Sequence, residues 1–427
     1  MVVIVRSVLV VTLITALLGI SALVTCSKAN VADGVDGDQR TEAGEIEAGH
    51  PWLGLDGDDP KVRHTRTQLL WSLVATVWGW AVLAAILFSG LSPRLCRLAA
   101  SLTGKRLGSV APYLALLTVL TTVLALPLDY YRGFIIEHEY GLSNQTPWSW
   151  LVDTGKWLGL TLIASLALVL PVYAIIRRTP KRWWLYSAGI VAFFAFIAAA
   201  IYPLLVAPMF NDLKPLNNPH LSQQIALMAE RSGIEVSDIL QMDMSRQTKA
   251  ANAYFAGIGP SQRIVLADTL LANFSDAEIV TVVGHEMGHQ VHNDLWRGLG
   301  AATVFILIAS YVVYRSGNAA VRRFGPKFGF RDISDSASLP LLLLLVGLVT
   351  FFGQPAQNTF SRYLEREADA YTLELTGDNE AYISALVKFG EVNLSDPNPP
   401  EWVEFWFYTH PSLSKRIEFA RGHGSVR

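Results

Sequence analysis

The chain has 427 residues, of which 51% are hydrophobic and only 16% charged, with a mean hydropathy of +0.33. Soluble domains carry about 25% charged residues, so the composition argues against a freely soluble enzyme. A formal net charge of −2 gives no electrostatic reason to expect a nucleic-acid partner. Cys26 and Cys96 lie far apart in unlike surroundings, which excludes a disulfide scaffold and a Cys-based zinc ribbon.

In chain order, Arg6 precedes an apolar run, Ser7–Val24, and Ser27-Lys28-Ala29 places small residues for a cut after Ala29. Residues 1–29 therefore read as a removable signal peptide or as a first transmembrane span. Residues 30–66 are expected to form a polar, disordered tether, because Val31–Asp59 is rich in Gly, Asp and Glu. Six stretches free of Asp, Glu, Lys and Arg follow: Thr67–Pro93, Leu107–Leu128, Trp157–Ile176, Trp183–Asn211, Gly298–Tyr314 and Ser336–Ser361. A bilayer core needs about 20 apolar residues per helix, and a soluble core would hold one or two such stretches, not six. The fold class is thus mainly α, a polytopic helical membrane protein, with four spans in residues 67–211 and two in 298–361. Gly298, Gly300 and Gly347 are expected where spans pack closely.

Loop charges suggest an orientation. Arg94, Arg97, Lys105 and Arg106 follow the first of these spans, and Arg177, Arg178, Lys181 and Arg182 follow the third. Arg315, Arg322, Arg323, Lys327 and Arg331 follow the fifth, whereas the loop after the second mixes Asp129, Glu137 and Glu139 with Arg132. Basic connections stay cytoplasmic, which puts the polar segments 212–297 and 362–427 together on the outer face of a bacterial-type cell membrane.

The segment 212–297 has an ordinary soluble composition with a short β-element. Ser222–Gly233 reads as a helix ending at glycine, and Arg263–Leu266 and the stretch Asn252–Phe255 read as strands. Ser275-Asp276-Ala277-Glu278 is a capping box that opens another helix. That helix carries His285-Glu286-Met287-Gly288-His289. Histidines four apart share one helix face, so two imidazole nitrogens can reach one tetrahedral ion, while Glu286 can take a proton from water. His292 and the nearby Asp294 are not expected as ligands, since the turn position is wrong for the same ion. Imidazoles with a carboxylate and no thiolate favour zinc. A third ligand is best sought in Ser361-Arg362-Tyr363-Leu364-Glu365-Arg366-Glu367-Ala368-Asp369, where Glu365 or Asp369 could bind the ion and the other orient a ligand histidine.

These motifs together resemble the type I CAAX prenyl protease family, integral-membrane gluzincins with HExxH and a downstream ExxxD. The resemblance runs from about Asp129 onward. It includes Tyr131-Arg132-Gly133-Phe134, Glu139–Thr146, Pro208–Asn211, Asn252–Gly257, Arg263–Leu271, and His410-Pro411 with Arg416. Ala250-Ala251 replace the His-Ser often found ahead of the Asn-Ala-Tyr element. The resemblance implies one zinc per chain on His285, His289 and Glu365, with Glu286 as general base and then proton donor. It implies that Asp369 orients a ligand histidine and that His410 stabilises the oxyanion. Asn252, Ala253 and Tyr254 would form an edge strand for an extended peptide, and Arg416 would contact substrate. A membrane zinc metalloendopeptidase acting on protein or peptide substrates is the expected function, in contact with lipid and as a monomer. The alternative, a transporter with structural zinc or none, would show buried charges within its spans, and the six charge-free stretches carry none.

Overall fold

The computed structural model describes residues 57–103, 109–257 and 262–424. The signal or first span expected at 1–29, and most of the tether, lie outside the described residues. Among the described residues, six helices are long and apolar enough to cross a membrane: Pro60–Phe88, Val110–Glu139, Pro147–Arg178, Trp183–Met209, Asp294–Phe328 and Ser336–Thr376. Each contains or closely overlaps one of the six charge-free stretches, and most extend past them because charged residues at the ends continue the helix. Helix α1 (Pro60–Phe88) starts where the Asp59 carboxylate accepts the Lys61 backbone N–H at 2.8 Å, so residues 60–66 are helical.

Helix α2 (Leu91–Thr103) follows, then α3 (Val110–Tyr130), which runs on through a π-helical segment, Tyr131–Ile136. The loop after it joins the membrane bundle to the polar segment. Asn144 Nδ2 donates to Ser245 O at 2.8 Å, and Thr248 Oγ1 donates to Leu142 O at 3.2 Å. Asp153, buried in α4 (Pro147–Arg178), accepts from Gln145 at 2.9 Å, Lys156 at 3.0 Å and Gln247 at 3.3 Å. Burying that carboxylate is tolerable because three donors surround it. The clasp fixes residues 245–249, just upstream of the expected edge strand.

After α5 (Trp183–Ile201) the polar segment forms a four-stranded sheet, ordered β1-β2-β4-β3. The strands are β1 (Leu213–Pro215), β2 (Asp238–Met242), β3 (Ala253–Ala256) and β4 (Arg263–Ala267). Strands β2 and β4 are parallel; β3 runs antiparallel to β4, with Ala253 opposite Leu266, and lies at the sheet edge. Helix α6 (Pro219–Arg231) crosses between β1 and β2.

Helix α7 (Asp268–Asn273) leads to α8 (Asp276–Val291), which carries the HExxH motif. Ile279, Val283 and Met287 of α8 pack with Ile264, Val265 and Leu266 of β4 in one buried core. Each such side chain contributes about 1.5–3 kcal/mol on burial, enough together to fix the helix against the sheet. On its other side α8 meets α10 (Leu339–Thr376) at close range: a Cβ on Gly288 would lie 3.0 Å from Ala368 Cα. The glycine inside the motif is thus what lets the two ligand-bearing helices touch.

Helix α9 (Asp294–Phe328) has 35 residues, about 52 Å at 1.5 Å per residue, well beyond a hydrocarbon core. Gly298–Tyr314 is only its middle, and Arg315, Arg322, Arg323 and Lys327 lie on its later turns rather than in a loop. The expectation of close packing at Gly298 and Gly300 is incorrect: a Cβ at either would meet nothing within 4 Å. Gly347 is buried. Helices α11 (Asn379–Val392), α12 (Glu401–Phe407) and α13 (Leu413–Gly422) complete the chain.

Candidate metal centre and active site

The α8 capping box forms as expected, with Glu278 Oε2 accepting the Ser275 backbone N–H at 2.7 Å. Glu278 also accepts from Ser384 at 2.6 Å and Lys388 at 2.8 Å, tying the start of α8 to α11. Burial alone would raise the pKa of Glu278. The donors from Lys388, Ser384 and Ser275 outweigh it and hold the carboxyl below its ordinary value.

About two and three turns further on, His285 and His289 present one face to Glu365 of α10. His285 Nε2 lies 3.1 Å from Glu365 Oε2, and His289 Nε2 lies 3.6 Å from Glu365 Oε1. The ligand atoms of these three residues all fall within 4.8 Å of one another, and all three residues are buried. Glu286, beside His285 on the helix, is 3% exposed.

The other ring nitrogens are engaged by carboxylates. His285 Nδ1 is 2.9 Å from Asp369 Oδ1, one turn along α10 from Glu365. His289 Nδ1 is 2.8 Å from Asp294 Oδ2. Each Nδ1 is thus placed to donate its proton to a carboxylate, and in the neutral ring this makes Nε2 the lone pair that a metal would take. Burial would lower the pKa of His285, but without an ion Asp369 and Glu365 outweigh it and raise it. Burial lowers the pKa of His289, favouring this neutral form. Among the described residues its Nε2 has no hydrogen-bond partner, although it is fully buried. Two imidazole nitrogens and a carboxylate, buried and converging within 4.8 Å, are a donor set that fits a metal ion.

Asp294 was not legible as part of the site. It does not join the metal-facing group, but it holds His289 from behind and is 1% exposed. It is paired in turn with Arg297 at 2.8 Å, and Arg297 with Glu367 of α10 at 2.6 Å. An acid in the first turn of the next helix was the available signal.

His410, expected near the reacting carbonyl, is in the site: its Nε2 is 3.2 Å from Glu365 Oε1, and its Nδ1 is 3.0 Å from Thr409 Oγ1. With the Thr409 hydroxyl donating to Nδ1, the neutral ring carries its hydrogen on Nε2, on the side of Glu365 Oε1. Arg416, for which the resemblance implies a substrate contact, is engaged by a carboxylate. Its guanidinium grips Asp369 through Nη2 at 2.6 Å and Nε at 3.0 Å, with Tyr382 OH 3.0 Å from Nη2. Burial would lower its pKa, but the Asp369 carboxylate outweighs that and holds it well above its ordinary value, permanently charged. Arg416 and Tyr382 thus brace the carboxylate that orients His285. Ala253 and Tyr254 are in the buried edge strand β3, and Asn252 stands just before it with its carbonyl accepting the Ala267 N–H at 2.9 Å.

Helical spans around a buried His-His-Glu cluster, with an acid on the same helix as the histidines, define a membrane metalloprotease. A family model described as Peptidase family M48 matches residues 215–423, and one described as CAAX prenyl protease N-terminal, five membrane helices, matches residues 61–212. An uncharacterized metalloprotease, YhfN, of Bacillus subtilis is 34% identical over 343 residues, covering 80% of each chain. CAAX prenyl protease 1 of Saccharomyces cerevisiae is 28% identical over 385 residues, covering 83% of each. The crystal structure of S. mikatae Ste24p shares the fold, with a TM-score of 0.77 over 98% of each chain at 22% identity. The chain belongs to peptidase family M48.

Proposed function

We propose that this protein is a zinc-dependent endopeptidase, acting as a monomer on extended segments of protein or peptide substrates at the extracytoplasmic face of a cell membrane. The observation that carries the zinc reading is the pair of Nε2 atoms turned toward Glu365 while both Nδ1 atoms are held by carboxylates. His285, His289 and Glu365 would hold the ion, and three protein ligands leave a position for water or substrate. Two imidazoles and a carboxylate suit zinc. Zinc bound there supplies Lewis acidity, activating a water and polarising the scissile carbonyl.

The chain's own groups do the rest. Asp369 and Asp294 fix the tautomers of His285 and His289. Glu286 takes a proton from the attacking water and delivers it to the leaving amine as the C–N bond breaks. His410 donates its Nε2 hydrogen to the oxyanion as charge develops on the carbonyl oxygen. An extended substrate adds to the β3 edge at Asn252, Ala253 and Tyr254, its backbone pairing as one more strand. Some relatives bear the name CAAX prenyl protease 1. With the site on the outer face, however, the reading here is a wider class of extended segments with no requirement for a prenyl group.

The test is cleavage of an unfolded protein such as casein by the full chain in detergent, before and after 1,10-phenanthroline. The proposal expects cleavage to stop as zinc is withdrawn and to return on adding zinc. Undiminished cleavage by protein stripped of metal would refute it.

A further inference from the structure

Arg362 lies one turn before Glu365 on α10, and its guanidinium does not point at the metal-facing group. It reaches across to the chain that delivers His410. Nη1 donates to two backbone carbonyls, Glu404 O at 2.9 Å and Tyr408 O at 2.6 Å, while Nη2 donates to Thr359 Oγ1 at 2.9 Å. One turn earlier on the same helix, Asn358 Nδ2 donates to Trp406 O at 2.6 Å. Glu404, Trp406 and Tyr408 belong to the last turn and C-cap of α12; Glu404 O already accepts the Tyr408 N–H at 3.1 Å, while the carbonyls beyond it are past the reach of the helix's own donors. A cation there is favourable both as a hydrogen-bond donor and toward the helix dipole. His410 follows two residues after Tyr408, with its Nε2 3.2 Å from Glu365 Oε1. One face of α10 therefore meets this segment twice, Arg362 through its backbone and Glu365 at its imidazole.

We infer that Arg362 is a positioning residue: it clamps the end of α12 to α10 and so sets where His410 stands relative to the scissile carbonyl. This rests on the oxyanion role given to His410 above. The planar fork of arginine lets Nη1 serve the two carbonyls while Nη2 is anchored on Thr359, whereas lysine has one nitrogen for all three. A displacement of about 1 Å at a reacting centre costs up to roughly 100-fold in rate, so loosening the clamp is expected to act on turnover. The metal-facing residues are held by other contacts and are not expected to move.

The experiment is a double-mutant cycle on the full zinc-loaded chain in detergent, with kcat, KM and zinc content measured for Arg362→Ala, His410→Ala and the double variant. Arg362→Ala is expected to lower kcat by about 10- to 100-fold with KM and zinc content near those of the parent. Arg362→Lys is expected to fall between the two. In the His410→Ala background, Arg362→Ala is expected to have almost no further effect. If His410→Ala impairs turnover and the Arg362→Ala loss multiplies with it, the inference fails while the His410 reading stands. If His410→Ala leaves kcat unchanged, the His410 reading fails and the inference with it. Should Arg362→Ala lose zinc through misfolding, Arg362→Lys and Arg362→Gln run through the same cycle give the same decision.

Discussion

Asp294 and His410 set the limits of what single residues in this sequence disclose. The histidine pair is legible because a spacing of four fixes a shared helix face wherever the helix lies. Asp294 is not, because Asn293 takes a left-handed conformation, φ 56°, that breaks α8 from α9 and turns the next residue back toward His289. Asparagine tolerates that conformation better than most residues, but nothing in its position announces which way the chain will turn. The partner of Arg416 is hidden for a related reason: 47 residues separate it from Asp369, whose carboxylate it holds. Two outcomes follow at this scale. Asp294→Ala is expected to weaken zinc binding by about 10- to 100-fold, as for other partners of ligand histidines, read by competition with a chromogenic chelator. His410→Ala is expected to keep its zinc and lose about 10²- to 10³-fold in kcat, the usual cost of one oxyanion donor.

Among the elements, the capping box at Ser275 and the strand β4 were legible from local pattern, and β1 and β2 were not. Leu213-Lys214-Pro215 is too short to show a period, and Asp238-Ile239-Leu240-Gln241-Met242 does not alternate; long-range pairing makes both into strands. The link between Glu278 and Lys388 of α11 was equally hidden, since 110 residues separate them. It gives α8 a pH dependence. Because Glu278 titrates below its ordinary value near 4.5 in the folded chain, its contribution is fully present above that pH and is lost as pH falls through the lowered native value. Glu278→Gln is expected to destabilise the neutral-pH protein by roughly 2 kcal/mol, on the scale of charged hydrogen bonds. Thermal unfolding in detergent should show the gap between parent and variant closing below pH about 4.5. A gap that persists at low pH would mean that the ionised carboxylate is not what stabilises the helix start.

At the scale of the molecule, the six spans were legible because charge-free length is a direct requirement of the bilayer, while their ends were not, since flanking charges continue the helices. That the segments before α9 and after the last span belong on one side follows from His285 meeting Glu365; which side rests on loop charge. With the ordinary positive-inside bias, a cysteine introduced as Asn273→Cys should react with a membrane-impermeant maleimide in intact cells. One introduced as Lys327→Cys should react only after permeabilisation, both in a background lacking Cys26 and Cys96. The reverse pattern would place the site in the cytosol. The central claim, that His285, His289 and Glu365 hold a catalytic zinc served by Glu286, is tested most directly by measuring metal content and turnover on the same preparations. Parent and Glu286→Gln are each expected to hold one zinc per chain, with turnover nearly abolished in the variant, and His289→Ala is expected to hold none. Full zinc occupancy in His289→Ala, or undiminished turnover in Glu286→Gln, would contradict the account.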